Sequence, residues 1–259
     1  MSYRCPDAYV ALAHKMADAA GETVRGYFRR AYDIVTKPDA TPVTEADRAA
    51  EQAMREILEQ HEPAHGIFGE EFGTVRGDAD YVWYLDPIDG TKAFIAGIPV
   101  FGTLIGLARN GRPVFGIIDQ AVSGERWAGG LGHACQLSDA TVTTRKGVDL
   151  MNAVLFTTSP DAYEGDDLDA LDRLRGSVEL VRYGADCYAF GLVAAGFADV
   201  AIECGVNDYD YCALVPIVES AGGTMTNWEG NPVTLGTDTR VIASGDADLH
   251  RAAISRLAG

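Results

Sequence analysis

The sequence predicts a layered α/β fold of two packed subdomains, and three observations support that expectation. The 259 residues, 47% hydrophobic and 23% charged, are enough to bury a sizeable core. Two stretches with apolar residues every four positions open the chain, and short apolar runs bounded by Gly and Asp follow them. Beyond a polar stretch around residues 138–147, strand-like and helix-like segments alternate. The subdomains are expected to span residues 1–145 and 146–259.

The elements follow in order. Leu12, Met16, Ala20, Val24 and Phe28 recur every four residues after Pro6-Asp7 and mark the buried stripe of a first helix. Lys37 to Pro42 suits a loop. Thr44-Glu45-Ala46-Asp47 resembles a capping box opening a second helix through about Gln60, with Ala49, Ala53 and Ile57 facing inward. Gly66-Ile67-Phe68 and Tyr81 to Leu85 suit buried strands. Gly102 to Ala108 and Pro113 to Asp119 flank Asn110-Gly111, a strong hairpin signal, so the first part reads as helices against a largely antiparallel sheet. The second part reads as strand 153–157, helix 167–175, strand 178–182, helix 187–196, strand 199–203 and one helix over 209–221. A strand at 240–243 and a helix begun near Asp246 close the chain.

Lys plus Arg is 21 and Asp plus Glu is 38, a formal net charge of −17, so the chain is not built to coat nucleic-acid phosphates. A polybasic membrane anchor is disfavoured for the same reason. The most apolar stretch, 93–108, is interrupted by glycines and a proline and is too short to span a bilayer. The N-terminus lacks the pattern of a secretory signal. Five scattered cysteines without a Cys-x-x-Cys pair fit a reduced, cytoplasmic setting. No zinc set, P-loop, dinucleotide or serine-hydrolase motif occurs.

The chemistry concentrates at Asp86-Pro87-Ile88-Asp89-Gly90-Thr91, where an apolar strand runs into two carboxylates. Pro87 stiffens the turn, so Asp86 and Asp89 can converge while the Ile88 carbonyl faces the same way. An all-oxygen set of this kind suits a hard cation such as Mg²⁺. Gly90 and Thr91 would open a helix whose free N–H groups favour a phosphate. Gly69-Glu70-Glu71-Phe72-Gly73 and Asp208-Tyr209-Asp210 are further acidic corners. Taken singly these are a solvated turn and a helix-start acid. Several acids at the ends of buried strands ask for a cation, and metal-assisted phosphate hydrolysis uses such a set without a Ser, Cys or His nucleophile.

These motifs, with Ala213 and Ala221-Gly222-Gly223 downstream, resemble the inositol monophosphatase superfamily over nearly the whole chain. The resemblance implies an αβαβα layered sandwich of the sugar-phosphatase type, and a Mg²⁺-dependent, Li⁺-sensitive phosphatase with two or three ions. It further implies a homodimer acting on a small phosphate monoester. Carried over residue by residue, it implies Glu70, Asp86, Asp89, Asp210 and the Ile88 carbonyl as metal ligands. Thr91 and Asp47 would orient the attacking water, and Gly90 and Thr91 would bind phosphate.

Phe94 to Pro99, Gly102 to Gly106, and Arg182-Tyr183-Gly184-Ala185-Asp186-Cys187-Tyr188-Ala189 resemble the histidinol-phosphate phosphatase branch, with Ala185 where that branch commonly has Gly. Ala96 departs from the polar residue usual in inositol-specific members. The branch implies a place in histidine biosynthesis, and Asp186, Glu203 and Asp210 would meet the ammonium and imidazole of the substrate. An inositol monophosphatase, a 3′-phosphoadenosine 5′-phosphate nucleotidase and a non-catalytic ligand-binding homologue are the alternatives. An Asp-x-Asp nucleophile at Asp208 is disfavoured, because the preceding strand ends near Glu203.

Overall fold

The structure is a computed structural model that describes residues 3–30, 34–36 and 42–259. Helix α1 (Asp7–Tyr27) and helix α2 (Glu45–His61) flank a small antiparallel pair, β1 (Ile34–Thr36) and β2 (Pro42–Thr44). The predicted loop falls largely outside the described residues, as does the capping side chain of Thr44.

Strands β3 (Gly66–Gly69), β4 (Gly73–Val75) and β5 (Tyr81–Asp89) lead into the short helix α3 (Thr91–Ile95). Strands β6 (Gly102–Arg109), β7 (Arg112–Gln120), β8 (Glu125–Gly130), β9 (His133–Leu137) and β10 (Ala140–Thr141) complete an eight-stranded sheet in the order β10-β9-β8-β7-β6-β5-β3-β4. Its pairings are antiparallel except β3 with β5. Asn110 and Gly111 both take positive φ, as the predicted two-residue hairpin requires.

The rest of the chain runs β11 (Val154–Thr157), α4 (Gly165–Arg175), β12 (Leu180–Tyr183), α5 (Asp186–Ala194), β13 (Val200–Cys204), α6 (Asp208–Tyr211), α7 (Leu214–Ser220), β14 (Thr224–Thr226), β15 (Arg240–Ser244) and α8 (Ala247–Ala258). Its sheet has the order β12-β11-β13-β15-β14, parallel at β12-β11-β13 and antiparallel beyond. Asp246 caps α8 by accepting from the N–H groups of Asp248 and Leu249.

Among the described residues, the three larger apolar clusters stack these elements into five layers. α1 and α2 bury Met16, Met54 and Leu58 against Trp83, Leu85 and Ile117 of the large sheet. On its opposite face Leu104, Ile118 and Trp127 meet Phe190 and Val193 of α5 and Ile217 and Val218 of α7, which also contact Ala201 and Ala243 of the small sheet. α4 and α8 cover the outer face of that sheet through Leu171, Leu174, Leu249 and Leu257. The order is αβαβα, and α5 and α7 are shared by both sheets.

Three expectations are corrected. Phe28 lies just past α1 in extended backbone, and its ring packs against Phe94 and Phe101. The buried face of α2 is Ala46, Asp47, Ala50, Glu51, Met54, Arg55 and Leu58, one position from the apolar pattern, because its polar residues are turned inward. The single helix over 209–221 divides into α6 and α7. Pro216 has no N–H for the Cys212 carbonyl, and the backbone at Cys212-Ala213 presses onto Gly106 and Gly116.

Candidate active site

The site begins with an irregularity in β5. Asp86 pairs with Leu104 and Asp89 with Gly102, so three steps along β5 oppose two along β6. In a regular strand residues three apart point to opposite faces, and the extra residue brings Asp86 and Asp89 to the same side. The bulge is fastened by the Ile88 N–H donating to Asp86 Oδ1 at 3.0 Å and by the Thr103 hydroxyl donating to the Pro87 carbonyl at 2.8 Å. Convergence of the two aspartates thus comes from this bulge as well as from the stiffness of Pro87.

Asp210 arrives from α6. Its Oδ2 accepts the Asn207 N–H at 2.7 Å while the Asn207 side chain accepts the Asp210 N–H, a reciprocal cap that fixes the carboxylate at the cavity wall. One oxygen each from Asp86, Asp89 and Asp210 lies within 4.8 Å of the others. Glu70 follows β3, its N–H donating to the Leu85 carbonyl at 3.1 Å beside Asp86. Its carboxyl is the foremost charge acting on Asp86.

These acids line a cavity of about 280 Å³ together with Ile88, Gly90, Thr91, Lys92, Thr158, Asp186 and Glu203. Gly90 adopts φ +86°, and a Cβ there would lie 2.5 Å from Asp186 Oδ2. The Thr91 hydroxyl donates to the Ile88 carbonyl at 3.2 Å, leaving its lone pairs to accept. The Cys187 N–H donates to Asp89 Oδ2 at 2.6 Å. Asp47 is buried in the first turn of α2 and is not among the lining residues. Asp208 points elsewhere, holding the Tyr211 hydroxyl and the Gly236 N–H, so it belongs to the loop structure.

Burial, then the surrounding negative charges, raise Asp86 and Asp210 well above the usual carboxylate range. Asp89 is pushed up to about 7, by burial first and then by Asp186. Burial raises Asp186 too, while Lys92 and a hydrogen bond from Thr158 act in the opposite direction. Glu203 is raised by burial and by Asp186, and its Oε1 is buried without a hydrogen-bond partner among the described residues. Crowded carboxylates of this kind are relieved by a hard divalent cation, and the all-oxygen donor set fits one.

Sequence reasoning missed two groups. Glu51, fully buried on α2, accepts from the backbone behind Glu70, and Thr158 bridges Asp186 and Glu203. Charged residues on a helix default to solvent and a lone Thr carries no motif, so no local signal marked either.

A layered α/β scaffold with a carboxylate cluster shaped for a hard cation is the class that fold and site define. The inositol monophosphatase family model matches residues 6–258, and the chain belongs to that family as one of its phosphatases. The chain is 46% identical over 260 residues to the chloroplastic bifunctional phosphatase IMPL2 of Arabidopsis thaliana, covering 97% of this chain and 75% of that one. With the histidinol-phosphatase of Chlorobaculum parvum the identity is 36% over 241 residues, 92% of each. Among solved structures, an inositol monophosphatase from Zymomonas mobilis superimposes with a TM-score of 0.90 at 44% identity, covering 98% of both chains. Among the described residues no helix is long and apolar enough to cross a membrane.

Proposed function

We propose that this chain is a Mg²⁺-dependent phosphomonoesterase that hydrolyses histidinol phosphate to histidinol and phosphate. The observation that carries the choice of substrate is Glu203. Its carboxylate is buried in the cavity wall with one oxygen unpartnered among the described residues, and Asp186 stands beside it. A substrate bearing an ammonium and a partly protonated imidazole supplies the donors and the positive charge that this wall lacks. Lys92 is the one cationic side chain among the lining residues, too few for a nucleotide with two phosphates. Three curated histidinol-phosphatases at 35–37% identity support the same reading.

Glu70, Asp86, Asp89, Asp210 and the Ile88 carbonyl would hold the cations. When bound, these supply charge stabilisation at the transferring phosphoryl group and its leaving oxygen. Gly90 and Thr91 face the phosphate. The Thr91 hydroxyl, its proton committed to the Ile88 carbonyl, is assigned to accept a hydrogen bond from the attacking water, with Asp47, buried outside the cavity lining, as the second group assigned to its orientation. The proposed division into residues 1–145 and 146–259 leaves the small sheet to contribute Glu203 and the large sheet to contribute Asp86 and Asp89.

A second reading, hydrolysis of an inositol phosphate, draws on the 44% identity with the Zymomonas mobilis structure, since Glu203 could equally accept from a sugar hydroxyl. Phosphate release with Mg²⁺, with and without EDTA, from histidinol phosphate, inositol 1-phosphate and 3′-phosphoadenosine 5′-phosphate separates them. A preference of about 100-fold in kcat/KM, roughly 2.7 kcal/mol, is expected for histidinol phosphate. Comparable rates on all three would replace it with a broad-specificity phosphatase, and no EDTA-sensitive release from any would leave a ligand-binding homologue.

A further inference from the structure

Asp47, Glu51 and Arg55 lie four residues apart along the buried face of α2. Glu51 Oε2 accepts the Glu71 N–H at 2.7 Å, and its Oε1 accepts the Phe72 N–H at 3.2 Å and the Arg55 Nε–H at 2.7 Å. Arg55 reaches on to the Gly73 carbonyl, closing the corner from its far side. Only a glycine at position 69 admits this arrangement, because a Cβ there would stand 2.0 Å from Glu51 Oε1.

From these contacts we infer that Glu51 is a positioning residue that sets the direction of the Glu70 carboxylate by gripping the peptide groups that follow it. The grip complements the bond from the Glu70 N–H to the Leu85 carbonyl, so the corner is held on both sides and Glu70 is aimed at Asp86. Glutamine cannot reproduce it. The three donors of Glu71, Phe72 and Arg55 need acceptors on both oxygens, and an amide turns one of these into a donor. The inference rests on reading the cavity as a cation site.

The test uses Mn²⁺ as the probe and follows the electron paramagnetic resonance signal of the free ion as it is titrated with the full-length protein. Glu51→Gln is expected to weaken Mn²⁺ binding about tenfold or more, as loss of a group that orients a metal ligand does. The control is Arg145→Met, which strips the buried Asp199 of its guanidinium away from the cavity. It should lower the melting temperature yet leave Mn²⁺ affinity within about twofold. Glu51→Asp keeps a charge for Arg55 but withdraws the carboxylate from the corner, and an intermediate loss of affinity is expected. Wild-type affinity in Glu51→Gln, or in Glu51→Asp should the former not fold, overturns the inference. So does an equal loss in Arg145→Met or a wild-type protein that takes up no Mn²⁺. The expected pattern in a protein that hydrolyses none of the phosphate esters would support this inference and overturn the proposed activity.

Discussion

At Asp86 three demands meet in one side chain: it ends an apolar strand, it is buried, and it faces other acids. Asp86→Asn removes one charge from the cluster with little change in volume. Mg²⁺-dependent turnover is expected to fall at least about 100-fold, roughly 2.7 kcal/mol, while the circular dichroism spectrum is kept. Glu203→Ala is expected to raise KM for histidinol phosphate more than for a neutral sugar phosphate, and equal effects would remove Glu203 from the proposed amine-binding wall. Away from the cavity, His250 is buried between the hydroxyls of Ser244 and Thr226, and burial lowers its pKa from 6.5 to about 4. The unfolded chain therefore takes up a proton that the folded one refuses. The associated stability is fully present above pH 6.5 and is lost as the pH falls toward 4, by roughly 3 kcal/mol at most. Urea unfolding between pH 7 and pH 4 should show this loss, and His250→Gln should reduce it.

At the scale of elements, the bulge in β5 and the elbow between α6 and α7 decide where the acids stand. Gly116 lies beneath the elbow, and a Cβ there would sit 2.0 Å from the Ala213 carbonyl oxygen. Gly116→Ala is expected to cost about 1–3 kcal/mol in denaturant unfolding and, by lifting the elbow, to lower turnover through Asp210. These two elements also mark how far local sequence reaches. Asp86, Asp89 and Gly90-Thr91 were legible because they crowd into one short motif after an apolar strand. The elbow was not, because it depends on glycines about a hundred positions earlier in the chain. The shifted face of α2 escaped for a related reason: an apolar count ignores Asp47, Glu51 and Arg55, which this fold turns inward. Strand β8 contains Gly129-Gly130, a pair that reads locally as a turn, yet both glycines lie in the paired sheet.

For the whole molecule, a cation that binds the folded cavity and not the unfolded chain stabilises by mass action. At about 100 times its dissociation constant Mg²⁺ should add roughly 2.7 kcal/mol, seen in calorimetry as a rise of about 5–10 °C in Tm. EDTA should reverse the rise and Asp86→Asn should abolish it. A Tm unmoved by Mg²⁺ at any concentration would refute a folded cation site. Periodicity marked the long helices and the strands β3, β5, β6, β7, β11, β12, β13 and β15 in order, whereas the short or glycine-rich strands β4, β8, β9, β10 and β14 carried no such signal. The sharing of α5 between two sheets had a signal that sequence reasoning missed, since a helix apolar on every side is one buried on both faces.

The shared central layer has a consequence for how the molecule comes apart. Asp86 and Asp89 belong to the large sheet, whereas Asp210 stands on the connection from β13 of the small sheet to α7. Neither half alone would close the proposed oxygen cage, so cation retention would report whether the two halves are docked. During synthesis the proposed cage would stay open until α6 had emerged and seated. A stress that draws α6 off β5 and β6 would part Asp210 from Asp86 and Asp89, and release of a bound ion would time that step.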